Sequence, residues 1–129
     1  MPIMMPTPVK TDKAPAAIGP YSQAIAIDTL LFVSGTIPID PLTGIILEGN
    51  IEDHAHQVFR NLSAVAEAAG TCLDRAVKVT IFLTDIAQFQ RVNTVYAQYF
   101  SEPYPARSAV QVAALPLGAA IEAEAIIAL

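Results

Sequence analysis

The 129-residue sequence contains a single cysteine, Cys72, and no tryptophan. One cysteine excludes an internal disulfide, and nothing else in the sequence points to secretion. Charged residues make up only 15% of the chain, and just 7 of them are basic. Those seven are scattered from Lys10 to Arg107, so no stripe exists that could track a phosphate backbone. With a net charge of −5, the sequence speaks against general nucleic-acid binding. Long apolar runs are also missing: none approaches the roughly 20 residues that a membrane span requires. The first ten residues hold Pro2, Pro6 and Pro8 without an apolar stretch behind a basic start, so they do not read as a signal peptide. The cytoplasm is the expected compartment. No glycine-rich nucleotide loop is present, since Gly35 and Gly44 stand alone.

What the sequence has in quantity is apolar residues, at 53%, with a mean hydropathy of +0.48. A chain of this length fits one domain, expected to span residues 1–129 with an N-terminal arm over 1–12. So small a domain cannot hide that much apolar surface alone, which points to a homo-oligomer.

Prolines at 2, 6, 8, 15 and 20 exclude helix from the first twenty residues. Two short strands, Ala24–Ile27 and Leu30–Val33, flank Asp28-Thr29 as a hairpin. Asp40-Pro41 and Thr43-Gly44 mark a loop, with a short strand possible at 45–47. Ala55, Phe59, Leu62, Val65 and Ala69 recur at steps of three and four, predicting a helix over 51–69 capped by Asn50 and ended by Gly70. Residues 76–83 alternate as a strand, with Val77, Val79, Ile81 and Leu83 on one face. Ile86, Phe89, Val92, Tyr96 and Phe100 predict a second helix over 86–100. Two strands follow, at 108–113 and 120–127, with a turn at Leu115–Gly118. Two one-sided helices among these strands define an α+β class: a two-layer domain with both helices packed on one face of a mixed sheet. The other face, with Thr80, Phe82, Glu122, Glu124 and Ile126, is poor solvent surface and is expected to meet another subunit.

Few residues offer chemistry. Arg107 follows a proline-stiffened approach, Glu102 to Ala106, and a guanidinium forks onto a carboxylate. A salt bridge to Glu122 or Glu124 on a neighbouring strand is the alternative. Glu122 and Glu124, at i and i+2 of a strand, share a face, as an acid–base pair or as a solvated charge pair. His54 and His56 point about 200° apart on a helix, cannot share a metal, and read as exposed. Cys72 reads as a small apolar filler. Tyr21, held in a turn, either offers its hydroxyl to a pocket or covers a core edge.

Five segments in register carry a resemblance: KAPAAIGPYSQA (13–24), VSGTIPIDPLTG (33–44), VNTVYAQYF (92–100), PARSAVQVAALP (105–116) and IEAEAI (121–126). Together they resemble the RidA/YjgF family of reactive-intermediate deaminases. The resemblance implies a chorismate-mutase-like fold and a homotrimer with pockets at the subunit interfaces. It implies hydrolysis of 2-aminoacrylate and 2-aminocrotonate, or their imine tautomers, to 2-oxo acids and ammonia, without a cofactor. By position, Arg107 matches the carboxylate-binding arginine and Glu122 the glutamate that orients water. Tyr21, Ser34, Gly35 and Asn93 match residues lining the pocket, and Phe89 falls near it. Many members have Cys where this chain has Ala109, a substrate-binding position by the resemblance; a role there that uses the backbone carbonyl survives the change, whereas a thiol role does not. Many have Gln where it has Thr36, which bears on pocket shape. Two other functions fit the same residues: a non-catalytic 2-oxo-acid-binding regulatory module, and an endoribonuclease, against which the acidity and scattered basic residues argue.

Overall fold

A computed structural model describes residues 2–129. Six strands form one mixed sheet: β1 (Ile3–Val9), β2 (Ala24–Asp28), β3 (Leu30–Thr36), β4 (Ala76–Leu83), β5 (Ala106–Gln111) and β6 (Ile121–Ala128). Their order is β1-β2-β3-β6-β4-β5. Every pairing is antiparallel except β4 with β5, which is parallel. Two helices, α1 (Ile51–Ala68) and α2 (Phe89–Tyr96), supply the second layer. This is the α+β architecture expected from the sequence.

The core lies between the layers. Val58, Phe59 and Leu62 of α1 meet Val79, Ile81, Ile121 and Ile127 of the sheet, all without solvent exposure. Each such side chain contributes roughly 1.5–3 kcal/mol by leaving water. Asn50 caps α1 as expected and does so reciprocally: its side chain accepts from Asp53 N while the Asp53 carboxylate accepts from Asn50 N. Asn50→Ala is therefore expected to cost about 1 kcal/mol, read as a lower urea midpoint at an unchanged slope.

Four expectations are corrected. The N-terminal arm is an edge strand, β1, paired with β2 through a register shift between Ile3 and Thr7. An edge tolerates Pro6 and Pro8 because one side of it needs no N–H donors. The stretch 45–47 forms no strand beyond a single bridge, Ile39 to Ile46. A register shift between Ala76 and Lys78 turns Val77 outward, 46% exposed, and Ala76 inward. The second helix is shorter than its apolar stripe: Asp85 caps a 3-10 turn at Ile86–Gln88, Ile86 is exposed, and α2 ends at Tyr96 although Phe100 is buried.

The hairpin at Asp28 is as expected, with Asp28 at φ 55°, a conformation that aspartate tolerates better than most residues. The last two strands are not neighbours, however. β6 inserts between β3 and β4, and β5 takes the outer edge beside β4. That crossover decides where the polar residues go.

Candidate active site

Arg107 lies on β5 opposite Val79, and Val79 is buried under the helices. Paired residues share a sheet face, so Arg107 rises on the helix side, at the rim of the sheet over α2. There its Nη1 donates to Asn93 Oδ1 at 2.7 Å. Its guanidinium carbon sits 5.1 Å from the Phe89 ring centre and 4.6 Å from that of Tyr96. Phe89, Asn93 and Tyr96 are spaced four and three apart on α2, which puts them on one helix face. The rings hold the cation by cation–π attraction, and Asn93 holds one corner of the fork. The rest of the fork is open, because Arg107 is exposed and makes no ion pair among the described residues. Ala109, opposite Ile81, shares this face two residues further along the strand.

Tyr96 is read from its periodicity as a core residue, and it is one, at 4% exposure. Its contact with Arg107 is missed at that level, since periodicity says what is buried and not what rests on it. The Tyr96 hydroxyl is buried with no hydrogen-bond partner among the described residues. Burial raises its pKa, and the nearby Arg107 charge partly opposes the shift.

Glu122 lies on β6 opposite Phe82, on the sheet face that no helix covers. It lines a cleft of about 640 Å³ with Tyr21, Ser34, Gly35, Thr36 and Leu117. The pairing of β3 with β6 shifts register between Val33 and Thr36, and Gly35 falls inside the shift. A β-carbon on Gly35 would stand 2.8 Å from Glu122 Oε1, so the carboxylate rests directly against the glycine backbone.

Most of the other polar groups in the cleft are tied within the chain. Ser34 Oγ donates to the Ser22 carbonyl at 2.6 Å, and Thr36 Oγ1 to the Ser34 carbonyl at 3.1 Å. Tyr21 accepts from Ile18 N at 3.3 Å, which leaves its own proton to give. Gln23 donates to the Pro15 carbonyl and accepts from Thr11 N, fixing a segment that lines the cleft through Ala14 and Pro15. Among the described residues Glu122 has neither a hydrogen-bond partner nor a cation within 4 Å. Burial first, and the Glu124 charge second, raise its pKa above the ordinary glutamate value.

The site residues named from the sequence thus fall into two groups. Tyr21, Ser34, Gly35 and Glu122 surround one cleft, whereas Asn93, Arg107 and Ala109 stand at the opposite face. Within one chain, Arg107 and Glu122 do not meet. The salt bridge weighed for Arg107 is excluded with them: β4 separates β5 from β6, and both glutamates point the other way.

The histidines are not the exposed pair expected. His56 Nδ1 lies 2.8 Å from the Tyr99 hydroxyl, and both His54 ring nitrogens are buried without a partner among the described residues. Cys72, expected as filler, is exposed. Among the described residues no three His, Cys, Asp or Glu side chains cluster as a metal site, and no helix is long and apolar enough to cross a membrane.

An exposed guanidinium stands on one face of the sheet and a half-buried carboxylate on the other, on an α+β fold of the RidA/YjgF type. The chain belongs to the family described as Endoribonuclease L-PSP, which matches residues 11–129 and takes in the RutC and RidA proteins. It is 52% identical over 122 residues to the RutC family protein y4sK of Sinorhizobium fredii, covering 95% of this chain and 97% of that one. It is 46% identical over 118 residues to the 2-iminobutanoate/2-iminopropanoate deaminase of Homo sapiens, covering 92% and 86%. The crystal structure of RidA from an Antarctic Psychrobacter superposes with a TM-score of 0.91 at 46% identity, covering 95% and 99%.

Proposed function

We propose that this chain hydrolyses 2-imino acids, in the manner of a 2-iminobutanoate/2-iminopropanoate deaminase, at sites shared between copies of itself. The observation that carries the reading is the Arg107 guanidinium, gripped on one side by Asn93, Phe89 and Tyr96 and open on the other. Such a fork receives a planar carboxylate without first having to be ordered. The imine carbon next to that carboxylate then needs water, and Glu122 is the carboxylate that lines the cleft, unpartnered among the described residues.

Because the two groups stand on opposite faces of one sheet, a working site takes Arg107 from one copy and Glu122 from another. The uncovered face supports this, with Phe32 at 42% and Val110 at 41% exposure beside Phe82 and Ile126. A homotrimer with three such interfaces is the assembly we propose, with residues 1–129 acting as one domain in the cytoplasm.

In the reaction, Glu122 accepts a proton from water as the oxygen bonds to the imine carbon. Glu122 passes that proton to the imine nitrogen, giving a carbinolamine and restoring its own carboxylate. The C–N bond then breaks as the hydroxyl proton returns through Glu122, releasing ammonia and the 2-oxo acid. Imine plus water balances to 2-oxo acid plus ammonia. Positioning supplies much of the acceleration, since free imines hydrolyse unaided. Every step is proton transfer or addition by these side chains and water, so the reading calls for no cofactor.

The test is pyruvate release from freshly generated 2-aminoacrylate. Release faster than the uncatalysed rate, in proportion to protein concentration, is expected. Binding of 2-oxobutanoate without any acceleration would instead make the chain a regulatory binding module. The family's description as an endoribonuclease raises RNA cleavage as well, but a chain of net charge −5 offers a polyanion little attraction. RNA left intact at low salt is the expected result.

A further inference from the structure

Asn61 sits on the core face of α1 at 1% exposure, a place where an apolar side chain is the ordinary choice. A buried amide is destabilising unless it is paired. Here the pairing is nearly complete. Asn61 Nδ2 donates to the Ile39 carbonyl at 2.9 Å and to the Ile37 carbonyl at 3.4 Å. Asn61 Oδ1 accepts from Gln57 Nε2 at 2.8 Å, one helical turn earlier and also buried. The Gln57 bond fixes which way the Asn61 amide faces, so its two donors point at the chain leaving β3.

That chain forms a wall of the Glu122 cleft, through the side chains of Ile37 and Ile39. It belongs to no strand. Its own bonds are few: Ile39 N to the Ile37 carbonyl, Asp40 N to the Ile45 carbonyl, and Leu47 N to the Pro38 carbonyl. Among the described residues no side chain other than Asn61 bonds the backbone of 37–39. The helical layer therefore reaches through the core to hold a cleft wall at two carbonyls.

We propose that Asn61, oriented by Gln57, is a positioning residue of the imine site: it holds the Ile37–Ile39 wall against the Glu122 cleft and so sets substrate affinity. The inference rests on the deaminase reading and adds to it a residue that touches no substrate. Loss of a wall that contacts the bound substrate and the transition state alike weakens binding without slowing the chemical step.

The test uses Asn61→Ala and Gln57→Leu in the full chain, with two readouts. Amide hydrogen exchange at Asp40 and Leu47 reports the wall, and steady-state kinetics on freshly generated 2-aminoacrylate report the site. For Asn61→Ala, faster exchange at both amides is expected, with KM raised about tenfold and kcat within about twofold of the parent. Gln57→Leu should move both in the same direction by less, and it carries the test if Asn61→Ala does not fold. Faster exchange with unchanged KM would overturn the proposal, as would a loss confined to kcat. If the parent protein turns over no imine, the deaminase reading falls by itself. The same variants are then read on 2-oxobutanoate affinity, where about tenfold weakening supports the role of Asn61 and unchanged affinity overturns it.

Discussion

Replacing Arg107 with alanine is expected to lower kcat/KM for imine hydrolysis by roughly 10- to 100-fold or more, the worth of a charge-assisted bidentate bond. The fold should be untouched. Arg107 is exposed on an edge strand, and its partners Phe89 and Tyr96 keep their own packing, Tyr96 stacked on Phe100 at 4.3 Å between ring centres. Thermal unfolding within about a degree or two of the parent is therefore the companion result. Arg107→Lys should recover little activity. It keeps the charge but loses both the planar fork and the fit between the rings. Asn93→Ala should fall between, because it frees one corner of the fork without removing it. The measurement is pyruvate release against 2-aminoacrylate concentration; parental rates in Arg107→Ala would exclude the carboxylate clamp.

Glu122→Gln is expected to reduce kcat by about 10²- to 10⁴-fold, the usual range for loss of a general base. Its stability behaviour should be the reverse of a typical buried-site mutation. Burial raises the folded-state pKa of Glu122 above its value in the unfolded chain. The folded protein therefore holds this proton more tightly. The stability it contributes is present in acid and fades as pH rises through the folded value. At neutral pH the charged carboxylate is a burden on the fold, so Glu122→Gln should melt no lower than the parent. Activity runs the opposite way: the base must be ionised, so kcat falls as pH drops through the raised value. Gly35→Ala is the steric counterpart. Its added carbon would occupy the place where the Glu122 carboxylate rests, 2.8 Å from Oε1. Because Gly35 does not need a left-handed backbone, the fold should survive while the acid limb of the pH profile and kcat both change.

These variants separate what the sequence discloses from what it hides. Periodicity is enough for α1, for the inward face of β6 and for the Asp28 hairpin, because each is a local pattern facing a common core. The same periodicity misplaces Val77, since a one-residue register shift is a matter of how β4 meets β6 and leaves no local mark. It gives no sign of β1, whose prolines are tolerated only because the strand is an edge. At the site, motif resemblance brings forward Arg107, Glu122, Tyr21, Ser34, Gly35 and Asn93. It does not show that they lie on two faces, because facing depends on strand order, and β6 inserts between β3 and β4 against the order of the chain. Asn61 and Tyr96 stay hidden for a different reason. Tyr96 sits at a helix position that periodicity assigns to the core, and Asn61 is a polar residue beside the apolar stripe of its helix; the task of each shows only in the partners it touches.

The division of the site between two copies is the central claim, and subunit complementation tests it most directly. Arg107→Ala and Glu122→Gln proteins, each strongly impaired alone, are mixed under conditions that exchange subunits and assayed at low substrate. If each site draws Arg107 from one copy and Glu122 from another, random reassociation leaves about one site in four with both groups intact. Pyruvate release from 2-aminoacrylate should then return to about a quarter of the parental rate per site. A mixture that exchanges its subunits and stays as impaired as its components would contradict the account.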